Sequence, residues 1–140
     1  MDDFKEKLEK AIENENNEEI IKLNKNEIQK RKNDILQKLQ IKGEELKKMH
    51  KQLKDYRYVS EFTEIQFGRY IRWINLDKRE IKLTNGGILC EIKINNDNAI
   101  LVLKNSRNQF MQIDMNTCLI FQKLTDQEML ILSVISYLDK

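Results

Sequence analysis

The chain has 140 residues, 40% of them hydrophobic, no proline and a formal net charge of +2. That length favours one domain with an extension, and no apolar run reaches the length of a membrane span. One histidine and two distant cysteines do not supply the clustered ligands of a metal site, and Gly86-Gly87 precedes no helix, which excludes a nucleotide-binding glycine loop.

Residues 2–13 carry Phe4, Leu8, Ala11 and Ile12 at helical spacing and predict a short amphipathic helix. Asp2 and Asp3 suit its positive N-terminal end. Three asparagines in positions 14–17 favour a break, because their side chains compete for local backbone bonds. Asn17, followed by two glutamates, is a candidate N-cap for the next helix.

From Ile28 to Tyr56 a seam runs Ile28, Lys32, Ile35, Leu39, Lys42, Leu46, Met49, Leu53, Tyr56. Its alternating steps of four and three are the heptad rule of a coiled coil, weakened by two lysines. Gly43 costs about 1 kcal/mol relative to alanine inside a helix and predicts a kink or break. Residues 1–19 hold eight acids and three bases; residues 22–54 hold eleven bases and four acids. Segments of opposite sign can pair within a chain or between chains. Three arrangements therefore fit: a hairpin in which the acidic segment neutralises the basic helix, a coiled coil between copies, or a single helix docked on the rest of the molecule.

After Tyr56–Phe67 the pattern changes to short strands of period two. The predicted strands are Gly68–Leu76, Lys78–Leu83, Ile88–Ile94, Ala99–Lys104, Gln109–Asp114 and Cys118–Gln122. In the third, Ile88, Cys90, Ile92 and Ile94 share one face and Leu89, Glu91 and Lys93 the other. Asn95-Asn96-Asp97-Asn98 reads as a hairpin turn of residues that tolerate positive φ. Six short strands with tight connections bury one face most economically as a small barrel, with an SH3-like barrel the first choice.

The closing segment is the best-marked helix. Thr125 and Glu128 form a capping box, and Leu124 and Met129 a hydrophobic staple. Met129, Leu130, Ile131, Leu132, Val134, Ile135, Tyr137 and Leu138 make it apolar on nearly every side, which is more than one buried face requires. The expected fold is thus α+β. Residues 1–56 form a charged helical arm, residues 57–124 an SH3-like antiparallel β-barrel, and residues 125–140 a helix packed on the barrel or on a partner.

No residues are assigned a catalytic role, and no cofactor is expected. Cys90 and Cys118 lie on predicted strands and read as small buried side chains. A cysteine nucleophile needs a base, and His50 belongs to the arm. Glu44-Glu45 belongs to a charged, solvated helix. Met1-Asp2-Asp3-Phe4-Lys5 lacks a signal-peptide pattern, so a reducing intracellular compartment with both thiols free is expected. Around the first strands, Arg69, Arg72, Arg79 and Lys82 alternate with Tyr70 and Trp73, a pattern that can hold phosphates and stack on bases. Strand alternation makes Trp73 a core residue instead of a stacking platform.

Gly68-Arg69-Tyr70-Ile71-Arg72-Trp73, Gly86-Gly87-Ile88-Leu89, Leu101-Val102-Leu103-Lys104-Asn105 and Ile120-Phe121-Gln122-Lys123-Leu124 together resemble a small β-domain of nucleocytoplasmic large DNA viruses of the giant-virus kind. Those domains often carry a Trp-rich strand where this chain has Gln109-Phe110-Met111-Gln112-Ile113. The abundance of Lys, Ile and Asn, 51 of 140 residues, suits an AT-rich genome. The resemblance implies a β-rich interaction domain of a viral protein, in host cytoplasm or virion, and carries no catalytic residue across.

The expected function is a non-enzymatic interaction or assembly protein. Its partner is a second copy or another protein, with no membrane involved. Ile28, Ile35, Leu39, Leu46, Met49, Leu53, Ile131, Val134, Ile135 and Leu138 are the candidate oligomerisation residues. The alternative is a nucleic-acid-binding small barrel that contacts its ligand through Arg69, Arg72, Arg79 and Lys82.

Overall fold

In the computed structural model, residues 2–14, 17, 20 and 23–138 are described. Of the expected asparagine break, residues 15, 16, 18 and 19 lie outside the described residues, as does the side chain of Asp2. The described elements are α1 (Asp2–Glu13), α2 (Lys25–Gln37), α3 (Gly43–Gln52), β1 (Tyr56–Val59), a 3-10 turn (Phe62–Glu64), β2 (Tyr70–Asn75), β3 (Gly87–Asn95), β4 (Asn98–Lys104), β5 (Phe110–Asp114), β6 (Cys118–Lys123) and α4 (Asp126–Leu138).

Two compact units divide the chain, 1–34 with 124–140, and 35–123. The arm expected over 1–56 is shared between them, because its seam does not run through one rod. It stops at Gln37, turns through Gln40 at φ 53° and restarts at Gly43. The break expected at Gly43 is therefore present, just upstream of the glycine.

In the first unit, Ala11, Ile20, Ile28, Leu124, Ile131 and Leu132 form one buried cluster. Helix α1 lies against α4. Asn17 is buried and donates from Nδ2 to the Ala11 carbonyl at 2.7 Å and to Gln127 Oε1 at 3.2 Å. These bonds hold the turn after α1 together; the cap expected of Asn17 falls on residues 18 and 19, outside the described residues. The capping box of α4 is formed: the Glu128 amide donates to Thr125 Oγ1 at 3.1 Å, and the Thr125 amide donates to Glu128 Oε1 at 2.9 Å. Leu124 and Met129 join the same apolar cluster, as a staple should.

The second unit is a six-stranded antiparallel sheet in the order β1-β6-β2-β3-β4-β5, with α3. β1 and β5 stand at its two ends, so the sheet is open where closure into an SH3-like barrel was expected. Side chains alternate between two apolar clusters. Val59, Ile71, Trp73, Leu89, Leu101, Leu103, Cys118 and Ile120 fill one face. Tyr56, Ile74, Leu119 and Phe121 fill the other face, under Leu36, Met49 and Leu53. Strand β6 is buried on both sides, which explains its unbroken run Cys118-Leu119-Ile120-Phe121.

Three strand expectations change. Tyr56–Val59 is a strand that the seam concealed, pairing with β6 from Tyr56↔Lys123 to Val59↔Ile120. Lys78–Leu83 is a loop, joined to β2 by the single bridge Ile74↔Leu83, and Ile81 and Leu83 pack on the helix-side cluster instead of alternating in a ladder. In β3 the inward residue is Leu89, while Ile88, Cys90 and Ile94 are exposed. The register shift between Leu89 and Glu91 is a bulge that inserts Cys90 and inverts the alternation. Cys90 is therefore not a buried small side chain; Cys118 is. The hairpin turn is as expected, with Asn96 at φ 55° closing Asn95↔Asn98.

Candidate functional site

The polar chemistry of the second unit concentrates beside β2. Its alternation sends Ile71 and Trp73 to the sheet's own core and Tyr70, Arg72 and Ile74 to the helix side. Arg72 is half-buried there and donates from Nε to the Thr84 carbonyl at 2.8 Å. Thr84 is itself fixed to β2: its amide donates to the Trp73 carbonyl at 3.0 Å, and its Oγ1 accepts from the Trp73 amide at 3.1 Å. Tyr70 Oη donates to the Asn85 carbonyl at 2.8 Å, and Gly86 follows at φ +94°. A side chain at Gly86 would meet the Ile71 carbonyl, which is why glycine ends this loop.

The loop and α3 flank a cleft of about 550 Å³. Lys48 from α3, Arg72 from β2, and Arg79 and Lys82 from the loop reach it, against Glu45 and Glu80. Lys82 and Glu80 pair at 3.4 Å on the exposed rim, which leaves Lys48, Arg72 and Arg79 as the bases facing one unpaired acid. Ile41, Met49, Ile81 and Leu83 supply its apolar wall. A second cavity, of about 440 Å³, opens beside Trp73, Asn75 and Lys78 and shares Lys82 and Leu83. The Arg72 charge also reaches Tyr56. Burial pushes the Tyr56 phenol upward, and Arg72 pulls against that rise.

Three of the four expected nucleic-acid residues, Arg72, Arg79 and Lys82, thus meet in one place. Arg69 does not. Its guanidinium donates to the Lys123 carbonyl at 3.3 Å and to Gln66 Oε1 at 2.6 Å. Lys48 was missed. Its signal was the spacing of Glu45, Lys48, Met49 and Gln52, one helical face, which becomes informative only once α3 is known to lie over β2.

The seam residues are placed differently. Ile28 and Ile131 are buried in the first unit, and Ile135 packs against them. Met49 and Leu53 are buried in the second, with Ile35, Leu39 and Leu46 packed alongside. Val134 is half-buried, and Leu138 is 72% exposed. Cys118 lies on the face of the sheet away from α3, the helix that carries His50. Among the described residues, no group of three or more His, Cys, Asp or Glu side chains could hold a metal ion, and no helix is long and apolar enough to cross a membrane.

No family model, curated protein or solved structure matches the chain.

Proposed function

We propose that the chain is a non-enzymatic interaction and assembly protein, of the viral kind that residues 68–124 resemble, and that it associates with a second copy of itself through the first unit. The carrying observation is an apolar surplus on two helices. Tyr137 is 76% and Leu138 72% exposed at the end of α4, while Phe4 and Ile12 stand half-exposed on α1. Asn14 donates to Gln127 Oε1 at 2.9 Å, so the end of α1 meets the start of α4. The two helices then run antiparallel, and Phe4 comes towards the Tyr137 end. Large apolar side chains gathered in this way mark association surfaces. The expected seam between long helices has no part in this version, because its residues already serve two internal cores.

Sedimentation velocity over a wide concentration range tests it. Concentration-dependent association that is lost in Tyr137→Lys with Leu138→Lys is expected. A strictly monomeric chain at the highest concentration would refute it.

The second reading is nucleic-acid binding through the second unit, supported by the meeting of Arg72, Arg79 and Lys82 with Lys48 at one cleft. Its mark is affinity that falls steeply with salt.

A further inference from the structure

Resting on that second reading, we infer that the cleft between α3 and the 76–86 loop takes an unpaired nucleotide of a single strand. Its phosphate meets Arg72, Arg79 and Lys48, and its base lies against Ile81 and Leu83. Arg72 is the fixed point of the cleft. Its Nε is committed to the Thr84 carbonyl, and Thr84 is tied twice to β2, so the guanidinium is fixed before any ligand arrives. The remaining edge of that group is a planar pair of donors suited to a phosphate oxygen pair. Lys48 and Arg79 approach from the helix and from the loop, so positive charge comes from three separate elements.

Charge alone would fit any polyanion. Shape and the apolar wall narrow the choice. A cleft of about 550 Å³ lies within the size range of small-ligand pockets and is far too small for a duplex. A duplex keeps the flat faces of its bases stacked inside and shows only their edges in the grooves, so it brings no base face to Ile81 and Leu83. A single strand presents both a phosphate and a free base face, which are the two chemistries the cleft offers. Trp73 cannot provide a stacking platform, being buried in the sheet core, so contact with the base falls to Ile81 and Leu83, whose apolar side chains read no base edge.

The test is fluorescence anisotropy of the full chain with labelled oligouridylate and oligothymidylate, and with a duplex of equal length. Three phosphate contacts on a single strand predict a log–log salt slope of about −2, or about a twentyfold loss of affinity for a fourfold rise in salt. Lys48→Gln and Arg79→Gln, both at exposed positions, should each flatten that slope by about 0.7. Arg72→Lys, which keeps the charge and loses the planar fork, should weaken binding with the far-ultraviolet circular dichroism unchanged. Lys93→Gln and Arg107→Gln, away from the cleft, should leave it unaltered. Single-strand binding that ignores the cleft variants and falls in Lys93→Gln or Arg107→Gln overturns the site and spares the binding reading. Tighter binding of the duplex overturns the single-strand assignment in the same way. Retention of no nucleic acid at about 50 mM salt overturns both.

Discussion

Replacing Glu64 by alanine strands a guanidinium inside the sheet. Arg57 is 2% exposed on β1, where alternation places it on the same face as Val59 and the Trp73 cluster. Its Nη1 donates to Glu64 Oε2 at 3.3 Å, its Nη2 to the Glu64 carbonyl at 3.2 Å, and its Nε has no hydrogen-bond acceptor. Removing the carboxylate leaves the charge buried, one more donor unmet, and only the backbone bond in place. Breaking a buried pair from one side costs about 3–5 kcal/mol. The surviving Nη2 bond puts Glu64→Ala at the lower end, about 3 kcal/mol, or roughly 10 °C in Tm. Arg57→Met behaves differently. It removes the charge and all its donors, fills the same space with an apolar chain, and leaves Glu64 able to reach water and Ser60 Oγ. Replacing a buried ion pair by apolar side chains is often neutral or stabilising by about 1–4 kcal/mol, so Arg57→Met, with the remaining carboxylate in reach of water, should cost far less than Glu64→Ala. The double variant should match Arg57→Met within about 0.5 kcal/mol, because the carboxylate has nothing left to compensate. Urea unfolding followed by the fluorescence of Trp73, the only tryptophan and a member of the adjoining cluster, reads all three. Arg57→Met losing as much stability as Glu64→Ala would refute the reasoning, since the pair itself would then be the source of stability.

Thr125→Ala removes the acceptor for the Glu128 amide and should lower stability by about 1 kcal/mol, measured as a shift in urea midpoint. A thiol reagent at mildly alkaline pH should modify Cys90 quickly and Cys118 only on unfolding, because Cys118 is covered and burial pushes its thiol upward, away from the reactive thiolate. Burial raises the phenols of Tyr56 and Tyr58 above 10, with the Glu64 carboxylate adding to the rise at Tyr58. The folded chain then holds these protons where the unfolded chain has released them, so stability is fully present below pH 10 and declines as pH rises through the folded values. Ultraviolet titration of tyrosinate, compared with chemical denaturation between about pH 9 and 11, checks the sign.

Much of the second unit was legible because short apolar segments alternate with turn residues along it. β4, β5 and β6 stand where those segments put them, and Trp73 is core because Ile71 lies two residues before it on the same face. The failures have local causes. Four isoleucine-spaced positions made Ile88, Cys90, Ile92 and Ile94 look like one buried face, yet one inserted residue at Cys90 exchanged the faces. Hydrophobicity alone cannot report such a bulge. Gly87 gives the hint: a Cβ there would lie 2.8 Å from the Lys104 carbonyl, so backbone approaches backbone closely and fixes which neighbour points inward. β1 was hidden because a buried arginine looks polar in the pattern, and its compensating Glu64 lies seven residues on, beyond any strand period. The 78–83 loop has the opposite fault. Ile81 and Leu83 alternate with charges like a strand, but their apolar side chains serve the cluster under α3.

The seam shows why a heptad is ambiguous in principle. A spacing of four and three says only that one stripe of a helix leaves water. It does not say whether a like stripe or a sheet receives it. Here the stripe is cut at Gln40 and shared, with Ile28 on one side and Met49 and Leu53 on the other, each meeting side chains from its own unit. Once those positions are internally satisfied, they cannot also drive association without opening a core. What is left over therefore separates by chemistry: exposed apolar side chains on α1 and α4, and an excess of bases over acids beside β2. Association driven by the first should be indifferent to salt, whereas binding driven by the second should be governed by it. The two proposals thus stand on independent physical grounds, and neutralising the cleft should leave self-association untouched.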